Sequence, residues 1–416
     1  MKGKQTPTNS GLKVMRMNIK WVNIPDVLFF QEGPGVRNTQ YTDKGVKLLN
    51  VANLVDGKID LSTSDRYISE EEAYGKYKHF LCDAGDFIIA SSGIKVEYID
   101  KKMGFIDESM LPLCMNTSTI RFKVLDKNQL NIRYFMYYLK SHHFKEQLAH
   151  HITGSAQLNY GPSHLKKMIM PLSPIDDQEI IIEKLDKLQS IIAHRKQQLL
   201  KLDELVKARF VEMFGEPVSN TMNWDTVPLG KLTTKIGSGA TPKGGRETYG
   251  TEGISLIRSM NVHNGYFEYK DLAYISDEQA KKLDNVIVHD KDVLLNITGA
   301  SVARCCIVPD NILPARVNQH VCIIRCKADV SSIFLCSVLT DDNFQNLLWN
   351  IAGSGATREA ITKQQVESLS IIVPPIALQQ QFATFVAQID KSKVVVQKAL
   401  DEAQLLFDSL MQECFG

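Results

Sequence analysis

The 416-residue sequence contains an internal repeat, and this feature limits its possible folds more than any other. The segment Asp86-Phe87-Ile88-Ile89 returns as Asp292-Val293-Leu294-Leu295, and Tyr67-Ile68-Ser69 returns as Tyr274-Ile275-Ser276. Matches that recur in the same order along both halves predict two copies of one folding unit.

The offset between the two copies varies in one part and is constant in another. It ranges from 203 to 208 residues across the first part of each copy, as expected where surface loops gain and lose residues. It then stays at 201 from Pro174 and Pro375 as far as Phe214 and Phe415. This last segment is therefore predicted to be one that a single inserted residue would disrupt.

The segment with the constant offset is predicted to form one long helix in each copy. In the first copy, Pro174 and the acidic run at 176–179 are typical of a helix start, and Gly215 and Pro217 are typical of a stop. A helix of some 35 residues would form a rod of roughly 50 Å at a rise of about 1.5 Å per residue. Such a rod is expected to act as a spacer.

Each predicted long helix carries a seam with alternating three- and four-residue spacing, the pattern of a coiled coil. In the first copy the seam comprises Leu185, Leu188, Ile192, Arg195, Leu199, Leu202, Val206, Arg209 and Met213. In the second copy it comprises Val386, Ile389, Lys393, Val396, Leu400, Ala403, Phe407, Leu410 and Cys414. The alternative is an amphipathic helix packed on its own domain. Pairing is favoured because helices within domains average only about 11–12 residues.

The remainder of each copy is predicted to be a mixed α/β domain. Predicted strands are Val46–Val51, Phe87–Ser91, Thr119–Val124, Ile254–Arg258, Asp292–Ile297 and Val321–Arg325. Predicted helices are Glu70–Tyr77, Ile132–His150, Asp277–Leu283 and Ser331–Asn350. The predicted organisation is a basic N-terminal segment (1–20), a first domain (21–172), a long helix (173–220), a second domain (221–372) and a second long helix (373–416).

Composition indicates the compartment and sets the charge. The chain has 48 basic and 47 acidic residues and a formal net charge of +1, so no global field draws it to nucleic acid or membrane. No apolar run approaches the roughly 18 residues of a membrane-spanning helix. The eight cysteines form no CxxC pair, which favours free thiols in a reducing cytoplasm.

The sequence contains no convincing catalytic motif. The chain lacks both a GxxxxGK[ST] phosphate loop and an [ND]PP[YF] tetrad, so neither nucleotide hydrolysis nor base methylation is predicted. His320, Cys322 and Cys326 are candidate zinc ligands, but alternation along a strand favours small buried thiols there. The histidine pairs at 142–143 and 150–151 favour a polar helix surface, and a phosphate-facing role stays open.

Polar, glycine-containing loops recur at equivalent places between the strands of both copies. Arg, Asn, Gln, Ser and Thr read base edges and bind phosphates, and glycine lets backbone N–H groups approach an anion. The predicted DNA-binding residues of the first copy are Arg37, Asn38, Thr39, Tyr41, Asn50, Asn53, Ser91, Ser92, Lys95, Asn116, Gln157, Asn159 and Tyr160. Those of the second copy are Ser238, Thr241, Lys243, Arg246, Arg258, Asn261, Asn296, Thr298, Ser301, Arg304, Arg316, Asn318, Gln319, Ser354, Thr357 and Arg358.

From Trp21 to Gly416 the chain resembles the specificity subunit of type I restriction–modification systems. The resemblance is carried by Gly239-Ala240-Thr241-Pro242, by the segment Asp292–Ser301, and by the PPIALQQQ run at 374–381 that opens a long helix. The first copy departs from the loop pattern, because Gly33-Pro34-Gly35 replaces the Thr-Pro form.

The resemblance implies two target-recognition domains that each bind one half of a bipartite DNA site. It implies antiparallel long helices that set the spacer, about 15 base pairs for a 50 Å rod, and that dock two modification subunits. No catalysis and no cofactor are implied in this chain. The partners would supply S-adenosylmethionine chemistry, and restriction subunits would supply ATP- and Mg-dependent nuclease and translocase activity. Two alternatives stay open, a coiled-coil scaffold with protein-binding domains and a metal-dependent hydrolase.

Overall fold

A computed structural model describes residues 18–151, 158–242, 245–353 and 359–416, without the side chains at positions 158, 159 and 246. Most of the predicted basic segment 1–20 therefore lies outside the described residues. The chain divides into two compact units. The first unit consists of Met1–His194 and Leu400–Gly416, and the second unit consists of Arg195–Ala399.

The described part of each copy contains the same α-helices in the same order, which confirms the repeat. In the first copy they are Ile24–Val27, Glu70–Tyr74, Ile132–Lys140, His142–His151, Pro162–Leu165 and Ile175–Phe214. In the second copy they are Leu229–Leu232, Asp277–Lys281, Ser332–Thr340, Asp342–Gly353, Lys363–Ser368 and Ile376–Phe415.

The core of each domain is a four-stranded antiparallel sheet, here called the central sheet. Its strands in spatial order are Leu28–Glu32, Thr119–Val124, Phe87–Ala90 and Met103–Phe105 in the first domain. In the second domain they are Thr233–Ser238, Val321–Cys326, Val293–Asn296 and Cys305–Ile307. The middle strands are buried along most of their length, so they form the centre of each core.

A smaller mixed sheet accompanies each central sheet. In the first domain it orders Leu113–Met115, Val46–Leu49 and Tyr67–Ile68. In the second domain it orders Ala273–Ile275, Ile254–Ile257, Ala315–Val317 and Ile287–Val288. The first and last strands of each domain also pair, Lys20–Asn23 with Ile169–Leu172 and Thr226–Pro228 with Ser370–Ile372. Short two-stranded pairings join Leu54–Val55 with Lys58–Ile59, Val262–His263 with Tyr266–Phe267, and Ser92–Ile94 with Leu158–Asn159.

The six predicted strands are confirmed to within two residues at each end, but two helix predictions were wrong. The helices predicted over 132–150 and 331–350 are each broken into two. In the first domain the break falls at Ser141, whose hydroxyl accepts from the Phe144 N–H and so caps the second of the two helices. Asp341 does the same in the second domain, accepting from the N–H groups of Asn343 and Phe344. The apolar pattern runs through both breaks, which hid them from the sequence.

The two long helices are confirmed, each with 40 residues and a length of about 60 Å. All nine predicted seam positions of each helix are buried or half-buried, as a seam between paired helices requires. Among the described residues, no helix is at once long and apolar enough to cross a membrane.

Each unit contains the start of one long helix beside the end of the other. In the second unit, Lys393 Nζ lies 2.6 Å from Asp203 Oδ1, and the Arg209 guanidinium lies 5.8 Å from the centre of the Phe385 ring. In the first unit, Leu185 shares the core with Met411. Within each unit the paired segments therefore run antiparallel, as the resemblance implies.

The last aromatic residue of each long helix enters the core of the domain that belongs to the other copy. Phe214 is fully buried in the second unit, with ring centres 4.8 Å from Phe334 and 5.5 Å from Phe382. Phe415 is buried in the first unit, 4.9 Å from the ring of Tyr134. Each domain core is thus completed by a residue from the far end of a long helix.

A buried glutamine joins the start of each long helix to its own domain. Gln178 accepts from the Asn131 N–H at 2.9 Å and donates to the Ser173 carbonyl at 2.8 Å. Gln379 makes the matching bonds, accepting from the Ser331 N–H at 2.9 Å and donating to the Pro374 carbonyl at 2.8 Å. Both side chains are completely buried, so removal of either would leave backbone groups without partners.

We expect Phe415→Ala to destabilise the first unit and Phe214→Ala the second, each by about 3–5 kcal/mol, because both remove a buried ring. Hydrogen exchange checks this: F415A should accelerate exchange in Phe87–Ala90, and F214A should do so in Val293–Asn296. Leu406→Ala, at an exposed position of the second long helix, is the control. Equal acceleration in both domains by either phenylalanine variant would contradict the assignment.

Candidate nucleic-acid interface

The predicted polar loops meet at one end of each central sheet, here called the loop edge. In the second domain, Thr233–Ser238 and Val293–Asn296 end there and Val321–Cys326 begins there. The backbone continues the pairing past the strands, since Gly239 N–H donates to Asn318 O at 3.0 Å and Ile297 N–H donates to His320 O at 2.9 Å. Three loops that are far apart in sequence thus lie side by side.

The loop edge of the first domain has the same construction. Gly33 N–H donates to Thr119 O at 2.9 Å, and Ser91 N–H donates to Ser118 O at 2.8 Å. The opposite end of this sheet leads to Gln129, whose carbonyl accepts from Gln178 of the first long helix. Each domain therefore separates its polar loops from its long helices by the length of the sheet.

Two equivalent glycines allow the close approach of these loops. A Cβ atom on Gly239 would lie 1.8 Å from Val317 O, and one on Gly33 would lie 2.1 Å from Asn116 O. Any side chain would therefore push the loops apart. From the sequence alone, these glycines indicate only loop flexibility and not this close contact.

A further loop lies at the same edge in each domain; it follows the helix that ends at His151 in the first domain and at Gly353 in the second. In the first domain, Tyr160 N–H donates to Ser91 O at 3.0 Å and its hydroxyl donates to Ala90 O at 3.0 Å. In the second domain, Gly299 N–H donates to Glu359 O at 3.0 Å and Ile361 N–H donates to Ile297 O at 2.8 Å. Four of the recurring loop segments thus converge in each domain.

A cluster of polar side chains lies on the loop edge of the second domain. Thr298 Oγ1 lies 2.5 Å from His320 Nδ1, and Gln319 Nε2 lies 3.1 Å from His320 Nε2. The Thr241 hydroxyl donates to the Gln319 side-chain oxygen. The cluster joins side chains from three loops and presents hydroxyl, amide and imidazole groups suited to base edges. His320 was not among the predicted DNA-binding residues, although it sits in one of the recurring loops.

The first domain presents a different set at its loop edge. Arg37, Asn38 and Thr39 are exposed in a turn that Gln40 closes by accepting from the Arg37 N–H at 3.1 Å. Lys95 is exposed beyond the strand Ser92–Ile94. This domain thus offers exposed cations and an amide, where the second offers a cluster of hydroxyl, amide and imidazole groups with half-exposed Arg304.

Thirteen of the predicted DNA-binding residues have exposed or half-exposed side chains. They are Arg37, Asn38, Thr39, Tyr41, Ser92, Lys95, Ser238, Thr241, Arg258, Thr298, Ser301, Arg304 and Gln319. Their accessibility is compatible with contact to DNA.

Nine predicted residues are buried, so their side chains are not available to DNA in this conformation. They are Asn50, Asn53, Ser91, Asn116, Tyr160, Asn261, Asn296, Arg316 and Asn318. We withdraw these nine from the candidate interface.

The buried polar residues hold the loops in shape instead. Asn53 and Asn261 are equivalent, and each accepts from the N–H three residues earlier and donates to a carbonyl seven residues later. Arg316 pairs with Asp284 at 2.9 Å. Such bonds satisfy backbone groups that a buried turn would otherwise leave unpaired.

Seven predicted residues lie outside the described residues or side chains. They are Gln157, Asn159, Lys243, Arg246, Ser354, Thr357 and Arg358. Their assignment to DNA binding stays a prediction.

The candidate zinc ligands do not form a coordination group. Across the described ranges, no set of three or more His, Cys, Asp and Glu side chains could hold a metal ion. Burial raises the pKa of the Cys322 thiol to about 12 and that of Cys326 to about 11. Both thiols are therefore protonated near neutral pH, unlike metal-bound thiolates.

Comparison with protein families decides the assignment of the repeat. The model of the type I restriction modification DNA specificity domain matches residues 22–203 and again residues 222–403. The chain belongs to this family. Both matches cover a domain together with most of the long helix that follows it, so the family unit is the sequence repeat itself.

Curated relatives are described as specificity subunits of type I restriction enzymes. The putative type I restriction enzyme MjaX specificity subunit of Methanocaldococcus jannaschii is 23% identical over 393 residues, which cover 88% of this chain and 87% of that protein. The StySPI specificity subunit of Salmonella potsdam is 21% identical over 293 residues, covering 67% of this chain and 63% of that protein.

Two solved structures share the fold. The S subunit of a type I restriction–modification system from M. genitalium covers 97% of this chain and 97% of its own length, with a TM-score of 0.58 and 14% identity. A second structure, described under complex assembly and conformational transition of the type I R-M system, covers 97% of this chain and 99% of its own length, with a TM-score of 0.57 and 16% identity. At these identities the likeness shows the architecture alone.

We expect Gly239→Ala to destabilise the second unit by about 1–3 kcal/mol, because the added methyl group overlaps Val317 O and forces the loops apart. Urea unfolding measures the loss. Gly237→Ala is the matched control, since a Cβ there has no neighbour within 4 Å. Equal stability of the two variants would contradict the role of the close approach.

Proposed function

We propose that this chain is the DNA-reading subunit of a type I restriction–modification complex, in which each domain reads one half of a bipartite site. The observation that carries the proposal is the recurrence of one loop-bearing sheet edge in two domains with different exposed side chains. The family supports it, since both matches are to a DNA specificity domain.

The two domains should read different sequences. In the first domain Arg37, Asn38 and Lys95 are the exposed candidates for base and phosphate contacts. In the second domain the candidates are Thr241 and Gln319, with half-exposed Arg304 as a cation. Arginine favours guanine edges and amides favour adenine edges, so the two sets favour different half-sites.

The chemistry of the complex is proposed to lie in other subunits. The candidate contact residues of the loop edges present amides, hydroxyls, an imidazole and cations, which suit recognition. Methylation would then need a modification subunit with S-adenosylmethionine, and cleavage a restriction subunit that uses ATP and Mg. On this proposal the present chain selects the site.

Exposed apolar residues on the long helices are proposed to dock the modification subunits. In the second unit, Leu200, Val394 and Val395 are 63%, 69% and 68% exposed, and none is a seam position. In the first unit, Leu405 is 70% exposed. Leu205 and Leu406 are exposed at equivalent positions of the two helices, which suits two copies of one partner.

The proposal predicts two separated blocks of protection on a bipartite DNA site bound by the chain with its modification partner. Affinity should fall linearly with salt on logarithmic axes, because phosphate contacts release counterions. Footprinting and a salt titration measure these outcomes. A single continuous block would contradict the two-domain reading, and affinity indifferent to salt would favour the protein-binding scaffold instead.

Removing one heptad from both long helices should shorten the preferred spacer. The Lys393–Asp203 pair sets the register, so within the second unit residues 197–203 lie opposite 393–399 and can be removed together. Seven residues correspond to about 10 Å, or about 3 base pairs. Selection from a library of spacers checks this change. An unchanged spacer in a folded variant would rule out the helices as its determinant.

We expect Leu405→Glu and Val395→Glu to weaken association with the modification subunit at least tenfold, because a carboxylate would be buried in an apolar contact. Native mass spectrometry of the complex measures the loss. Leu125→Glu, 57% exposed on the first domain, is the matched control. Equal loss with the control, or none with either helix variant, would contradict this docking surface.

A further inference from the structure

Five basic side chains gather on one side of the first domain, at the end of the helix His142–His151 and around the short helix Pro162–Leu165. They are His150, His151, His164, Lys166 and Lys167, here called the histidine–lysine patch. The rings of His150 and His151 lie 5.6 Å apart. The three histidines are exposed or half-exposed, and both lysines are exposed.

The patch lies next to the loop edge. Gly161 N–H donates to His164 Nδ1 at 3.1 Å, and the preceding Tyr160 N–H donates to Ser91 O. A Cβ atom on Gly161 would lie 3.3 Å from the carboxylate of Glu32, the last residue of its central-sheet strand. His164 is therefore held within one turn of the candidate DNA-reading loops.

The side chains of the patch have no acidic partner. Among the described residues, none of the five forms an ion pair. Burial lowers the pKa of His151, and the nearby His150, Lys167 and His164 lower it further. Glu32 faces Gly161 and also accepts from the Ser91 hydroxyl at 3.3 Å. Metal binding does not account for the patch, since no described group of side chains suits an ion.

The second domain lacks the patch at the equivalent positions. Asn350, Ile351, Gln365, Glu367 and Ser368 stand there, at offsets of 200 and 201. The backbone is the same, because Gln365 accepts from the Thr362 N–H at 2.8 Å as His164 accepts from Gly161. The fold therefore does not require histidines and lysines at these positions.

We propose that the histidine–lysine patch contacts backbone phosphates of double-stranded DNA beside the half-site of the first domain. The proposal rests on the proposed function and deepens it. Phosphate charge favours the protonated form of His151, so DNA binding takes up a proton and strengthens as the pH falls towards 6. The first domain thus holds DNA with a salt- and pH-dependent contact that the second does not make.

The test measures binding of the full chain to a random-sequence 40-base-pair duplex by fluorescence anisotropy, over a range of salt and from pH 8 to pH 6. Lys166→Ser with Lys167→Ser should reduce the slope of log affinity against log salt by about 2, one unit for each lost phosphate contact. Lys127→Ser is the control, because this exposed lysine lies towards the opposite end of the same domain.

His151→Gln tests the proton. The side chain of His151 is half-exposed, so the fold should be kept. Wild-type affinity should rise at least about threefold from pH 8 to pH 6, and the rise should be lost in this variant. Conversely, Glu367→Lys with Ser368→Lys should steepen the salt dependence by installing the two lysines of the patch in the second domain.

The outcomes separate the two proposals. Wild-type binding with the salt slope and pH dependence unchanged in the patch variants would overturn the patch alone. Failure of the wild-type chain to bind duplex at any salt would overturn the patch and count against the proposed function as well. Two-block footprints with the modification partner, obtained alongside unaltered patch variants, would keep the proposed function and reject the patch.

Discussion

The structure depends on where the long helices end. Phe214 and Phe415 each complete the aromatic core of the domain from the other copy, and Gln178 and Gln379 bond each helix start to its own domain. A helix fixed at both ends cannot gain or lose a residue without rotating one end out of its core. This explains why the repeat offset is constant along the helices and varies among the loops.

Each domain has two ends with opposite requirements. The end of the domain that contacts the long helices must keep one structure, and its buried glutamine makes the same hydrogen bonds in both copies. The loop edge must vary, yet its shape must hold, and buried polar residues supply that shape: Asn53 and Asn261 close equivalent turns, and Gly33 and Gly239 admit close backbone contact. The exposed recognition residues can then differ between copies, because the hydrogen bonds that hold the loops are made by buried residues.

The sequence was sufficient to predict the repeat, the mixed α/β domains and both long helices, because each depends on a pattern that extends over many residues. It was insufficient where one contact decides the outcome. The breaks at Ser141 and Asp341 depend on local caps within a continuous apolar pattern. Asn53 and Asn38 look alike as loop asparagines, yet one is buried and the other exposed. Composition cannot separate them, because burial is set by neighbouring loops from distant parts of the chain.

The division of the long helices between the units also orders the folding of the chain during synthesis. The second unit is one continuous stretch, Arg195–Ala399, whereas the first unit requires Leu400–Gly416. On the ribosome, the second unit has all of its residues while the first still lacks Met411 and Phe415 from its core. The domain made first is therefore the one completed last, and its unfinished apolar surface stays open to other chains until synthesis passes residue 415.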